Sequence, residues 1–167
     1  MIAMKKIMII MAFLPIRALA QDCQISKETD PFTREAKLTT GFIKLQNSSL
    51  TIDVNKREFD FFFTVEGTDK CFDDQTTVTV MFEGSKSRNL YRSTGSMNCE
   101  GLFHFTVRNG PETPFAVKRF ATIKVTQFIF TTSDGKKPTL ITLTGPQQVA
   151  LTKAAGCIAE EAKNFAK

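Results

Sequence analysis

Reactive side chains are few in this 167-residue chain: one histidine, His104, and four cysteines, Cys23, Cys71, Cys99 and Cys157. Nucleophilic catalysis of the Ser-His-Asp or Cys-His kind needs an imidazole base beside a hydroxyl or thiol. His104 is the sole imidazole, it sits inside the alternating stretch Leu102 to Val107, and no G-x-S-x-G turn is present. The alternation reads it as a surface or edge histidine of a strand. Asp53, Asp60, Asp73, Asp74 and Glu83 could supply a carboxylate pair for acid–base work on a sugar. Each is equally explained as a solvent-facing strand or loop residue. Asp73-Asp74, close to Cys71, offers the start of a calcium site without the further spaced oxygen ligands of a known loop. Neither a G-x-x-x-x-G-K-[ST] phosphate loop nor a G-x-G-x-x-G fingerprint occurs. The sequence therefore assigns no catalytic, cofactor-binding or metal-binding residue.

The cysteines read as structural. None are spaced C-x-x-C, the pairing in which zinc ligands typically come. An even count predicts two bridges, with three connectivities open. We favour Cys71–Cys99, which brackets one stretch and places each cysteine just before a strand, with Cys23–Cys157, which ties the N-terminal segment to a C-terminal helix. Loops of these lengths stabilise by roughly 3–5 kcal/mol each in the chain-entropy model, less any strain.

Bridges need an oxidising compartment, and the N-terminus predicts one. Lys5 and Lys6 precede an unbroken apolar run, Ile7 to Leu14, and Ala18-Leu19-Ala20 is a small-x-small cleavage pattern. Residues 1–20 are thus expected to be a secretory signal peptide, with a single domain at residues 21–167 and a periplasmic or extracellular destination. A spanning helix would need about 20 apolar residues. Here the run gives way to Pro15 and Arg17. Asp22 before Cys23 argues against a lipoprotein, whose lipidated cysteine follows a small residue. Without Lys5, Lys6 and Arg17, the 22 basic residues become 19 against 17 acidic ones, so the formal charge falls from +5 to near +2. That balance leaves no nucleic-acid footprint, which requires a clustered basic face. Asn47-Ser48-Ser49 matches the N-glycosylation acceptor pattern.

The elements that position these residues follow from periodicity. The chain has 16 Phe, one Tyr and no Trp, so most aromatic rings belong to a core, not to a wet binding platform. Leu50, Ile52 and Val54 alternate with polar residues, and Phe59, Phe61, Phe63 and Val65 recur with the same period of two. A Lys56-Arg57 turn would set Val54 opposite Phe59, Ile52 opposite Phe61 and Leu50 opposite Phe63. Phe62 points the other way, so that second face is not bare. Further strands are expected at Thr76–Phe82, Arg88–Tyr91 and Leu102–Val107. A loose loop should run through Pro114, because Pro111 spoils the Asn109-Gly110 turn. The last hairpin, Thr122–Thr131 with Thr139–Leu143, turns at Asp134-Gly135. It sets Phe128 against Ile141, Phe130 against Thr139 and Ile129 against Leu140. With both faces apolar, it is expected inside the sheet and covered twice. Ala36–Leu45 reads as a strand continuing through Phe42. Leu151, Ala154, Ala155, Ile158, Ala162 and Phe165 form one face of a helix over about 146–165, where Gly156 permits close approach to the sheet or to a bridge at Cys157.

The expected fold is α+β, mainly β: an antiparallel sheet of about seven strands, folded into two layers, with one C-terminal helix packed on it. Cys23, Asp30-Pro31-Phe32-Thr33, Asn98-Cys99-Glu100-Gly101, the late strand Ile123–Phe130 and the helix holding Cys157 together resemble small exported uncharacterised proteins of Bacteroidetes. Where those proteins tend to carry Gly after Phe-Thr, this chain has Arg34. The resemblance implies export and cysteine pairing, not chemistry. The functional expectation is a non-catalytic binding or structural domain with a protein or envelope ligand, and the alternative is a small cell-envelope hydrolase or enzyme inhibitor.

Overall fold

The computed structural model describes residues 23–30, 34–67, 70–86 and 88–165. The leader assigned to residues 1–20 lies outside them. Ten strands and two helices are described. In chain order they are β1 (Ser26–Thr29), β2 (Ala36–Thr39), β3 (Ile43–Leu45), β4 (Ser48–Val54), β5 (Glu58–Val65), β6 (Thr77–Phe82), β7 (Asn89–Arg92), β8 (Leu102–Arg108), α1 (Phe115–Thr122), β9 (Val125–Thr131), β10 (Thr139–Thr142) and α2 (Gly145–Phe165). One sheet runs β1-β2-β4-β5-β8, with β3 also on β4, and the other runs β10-β9-β6-β7. All pairings are antiparallel.

The β4–β5 hairpin has the register that its alternation demands: Val54 opposite Phe59, Ile52 opposite Phe61, Leu50 opposite Phe63. Its turn is closed by Asn55, whose Oδ1 accepts from the N–H groups of Arg57 (2.7 Å) and Glu58 (2.9 Å). The buried faces of the two sheets meet through phenylalanines. Phe63 lies 5.0 Å from Phe128 and 5.3 Å from Phe130, both edge-on, and Phe103 lies 5.0 Å from Phe130. Such pairs contribute about 0.5–1.5 kcal/mol each beyond area burial. This places the Phe-rich composition in the core, where nine phenylalanines are almost fully enclosed.

Three expectations are corrected. Ala36–Leu45 is two strands, not one: Gly41 takes a positive φ of 63°, Thr40 turns its hydroxyl to accept from the Ile52 N–H at 3.0 Å, and Phe42 is left exposed. The segment after Pro114 is a helix, α1, and the following strand starts at Val125, not Thr122. α1 buries Val117 and Phe120, and Phe120 packs 4.7 Å from Phe61. Finally, the β9–β10 hairpin has the expected register, but β10 ends its sheet. Its outer face is uncovered because the chain leaves β10 for α2, which packs on β2, β3, β4, β9 and α1 instead.

α2 buries Leu151, Ala155, Ile158 and Ala162. Gly156 faces α1, where an added Cβ would lie 3.9 Å from the Ala121 carbonyl. Disulfides join Cys23 to Cys157 and Cys71 to Cys99. The first fastens the segment before β1 to α2. The second lies beside a bridge between Phe72 and Asn98. No described helix is long and apolar enough to cross a membrane.

Candidate functional site

Pairing β4, β5 and β8 gathers three of the candidate residues on the outer face of the first sheet. Asp53 stands directly opposite Asp60, and His104 stands opposite Phe62 on the next strand. Nδ1 of His104 is 3.2 Å from Asp60 Oδ1. The Asp60 hydrogen bond raises the His104 pKa above the usual 6.5, partial burial opposes it, and the charges of Asp60 and Glu58 add to the rise. Asp53 pairs with Lys37, whose Nζ is 2.7 Å from Oδ2 and 3.8 Å from Glu28. The Asp53 bond likewise raises the Lys37 pKa against the pull of desolvation. Lys37, Asp53 and Asp60 border a cavity of about 300 Å³ that is also lined by Asp30, Glu35 and Glu58; His104 does not line it.

The chemistry this face can perform is limited by which imidazole nitrogen is offered. A relay needs a carboxylate on one ring nitrogen and a nucleophile on the other. Here Asp60 and the Thr94 hydroxyl, at 3.4 Å, both approach Nδ1. The opposite side of the ring lies against Gly95, where an added Cβ would come within 3.0 Å of Nε2 and 2.9 Å of Cδ2. The ring thus pins the segment after β7 to β8, and the Thr94 N–H adds a 2.9 Å bond to the His104 carbonyl. Each facing carboxylate has one oxygen engaged, Asp53 Oδ2 by Lys37 and Asp60 Oδ1 by His104, while Asp53 Oδ1 is buried without a hydrogen-bond partner among the described residues.

The remaining carboxylates do not join this group. Asp73 Oδ1 accepts from the N–H of Gln75 (3.1 Å), the N–H of Thr76 (2.8 Å) and the Thr76 hydroxyl (2.7 Å). Its Oδ2 accepts from Ser133 at 2.9 Å. These bonds hold the Asp73 carboxyl below its usual pKa, with the Thr76 hydroxyl contributing most. Asp73 therefore sews the turn before β6 to the β9–β10 hairpin, and its neighbours Asp74 and Glu83 are exposed. Among the described residues, no three or more His, Cys, Asp or Glu side chains are grouped to hold a metal ion. Asn47 is exposed in the turn between β3 and β4.

No protein-family model, curated protein or solved structure matches the chain.

The second sheet supplies a feature that residue types alone did not single out. Leu90, Thr79, Ile129 and Leu140 are successive neighbours across β7, β6, β9 and β10. At the usual strand spacing they form a row about 14 Å long. Leu90 is 64% exposed and Leu140 55% exposed, and Ile129 is half-buried between them. The signal was the apolar second face of the β9–β10 hairpin, read from sequence as evidence of a covering layer. The row instead faces outward. Isolated exposed apolar residues are ordinary; here Leu140 adjoins Ile129, and Thr79 separates that pair from Leu90.

Proposed function

We propose that this chain is an exported, disulfide-stapled β domain that acts by binding or as a structural element and not by catalysis. The leader pattern at residues 1–20 and the two bridges support export, in line with the resemblance to exported Bacteroidetes proteins. The observation that carries the binding reading is the set of outward-facing apolar side chains Leu90, Ile129 and Leu140 on the second sheet. The hydrolase alternative rests on the juxtaposed Asp53 and Asp60, and it is weakened because Lys37 and His104 already occupy them.

The test is capture from an envelope extract by residues 21–167, oxidised, beside the Leu90→Lys variant. A partner held by the first and lost by the second, at equal thermal stability, supports the reading. Turnover of a hydrolase substrate that Asp53→Asn or Asp60→Asn abolishes, with no capture dependent on Leu90, overturns it.

A further inference from the structure

We infer that β10 is a self-association edge, along which two copies of this chain pair antiparallel through Thr139–Thr142. This deepens the binding reading of the second sheet by naming an occupant for its edge.

Edge strands expose unpaired backbone groups, and proteins guard them with charge. The other strands at sheet margins follow that rule: β1 carries Lys27 and Glu28, β3 Lys44, β7 Arg92, and β8 His104 and Arg108. β10 reads Thr-Leu-Ile-Thr and has no charged residue of its own; among the described residues the one cation it binds is Lys70, whose Nζ donates to the Thr139 hydroxyl at 3.0 Å, outside the Leu140 and Thr142 backbone groups. Lys136 and Lys137 stop short of it, and Lys136 is 3.0 Å from Asp134.

The backbone geometry shows which groups await a partner. The Leu143 N–H donates to the Thr126 carbonyl at 2.9 Å. In the observed register this makes Thr139–Phe130 and Ile141–Phe128 the pairs that exchange hydrogen bonds within the hairpin. The N–H and C=O groups of Leu140 and Thr142 then point away from β9. These groups are self-complementary. If two copies meet about a two-fold axis at Ile141, Leu140 of each lies opposite Thr142 of the other. Each such pair exchanges two hydrogen bonds, so all four outward N–H donors are satisfied. Pro138, which has no N–H to give, falls outside the bonded stretch. Directly opposed residues in an antiparallel pair share a face, so the two Ile141 side chains meet on the core side and Leu140 adjoins Thr142 on the outer side. The sheet would grow from four strands to eight.

Two four-residue edges bury less than the roughly 1,000 Å² expected of a stable interface, so the dimer is weak and concentration-dependent. Sedimentation of oxidised residues 21–167 from micromolar to millimolar concentration tests it, with amide exchange of Leu140 and Thr142 measured at both extremes. The expected result is a dimer at the high end, with both amides exchanging more slowly there. Leu140→Lys should weaken association by about tenfold or more at an unchanged melting temperature, and Leu90→Lys should leave it unaltered. A monomer at every concentration overturns the inference, as does a dimer that Leu90→Lys dissolves and Leu140→Lys spares. A monomer that still captures a partner through Leu90 overturns the edge pairing alone and leaves the binding reading standing.

Discussion

His104 and Asp60, 44 positions apart in the chain, meet through Nδ1 and Oδ1 at 3.2 Å across the β5–β8 pair. The same imidazole lies against Gly95. This contact has a pH signature. The folded-state pKa of His104 lies above 6.5, chiefly through the Asp60 bond. A group with a raised folded-state pKa stabilises fully below its unfolded value and loses that contribution as pH rises through the folded value. The stability difference between the native chain and His104→Gln should therefore be largest below pH 6.5 and shrink as pH rises through the folded-state pKa. Urea unfolding of both proteins across this range checks it. A difference independent of pH would mean that ionisation of His104 contributes nothing to folding.

Gly101 is the glycine with least freedom to change. Its φ is +75°, and an added Cβ would lie 2.1 Å from the Val65 carbonyl oxygen. That oxygen belongs to backbone at the end of β5, held in place where the Val65 N–H donates to Gly101 O at 2.8 Å. Gly101→Ala should cost about 2 kcal/mol or more, the left-handed penalty plus displacement of β5. Gly135→Ala, at φ +71° with open space around it, should cost only the left-handed penalty of about 1–2 kcal/mol. Urea midpoints of the two variants give the comparison. Equal losses would show that β5 yields freely.

The two bridges should differ in worth. Cys23–Cys157 spans 134 positions and Cys71–Cys99 spans 28. On loop-closure entropy alone, replacing the first pair by serine should cost about 4–5 kcal/mol and the second about 3–4 kcal/mol. Chemical denaturation of each double variant measures the order. A reversed order would place the stabilisation in local packing around Cys71–Cys99 and not in the unfolded chain.

Periodicity and turn chemistry made the two hairpin registers legible. Val54–Phe59 and Phe128–Ile141 both follow from alternation across a short connection. α1 was not legible for a physical reason. It has eight residues, begins after Pro114 with no side-chain cap, and buries only Val117 and Phe120, too few apolar positions to distinguish a helical period from the approach to a strand. The His104–Asp60 contact depends on β5 finding β8 across an intervening pair of strands, which no local pattern encodes. Leu140 shows a different limit. Alternation reveals that two faces of a hairpin are apolar, but the layer that covers a face is fixed by where the rest of the chain goes, and here α2 goes elsewhere.

Gly156 sits in the interior of α2, where glycine costs about 1 kcal/mol relative to alanine through backbone entropy. Its retention would be explained if α1 needed the space of the missing Cβ. The geometry says otherwise: the nearest foreign atom to an added Cβ is the Ala121 carbonyl oxygen at 3.9 Å, an ordinary van der Waals contact. Alanine should therefore fit without moving α1 and without disturbing the adjacent Cys157. Gly156→Ala is expected to stabilise the protein by about 0.5–1 kcal/mol, read as a higher urea midpoint at an unchanged denaturant slope. A loss of stability would show that the α1–α2 approach tightens in solution beyond this contact, and that the glycine is held there by packing.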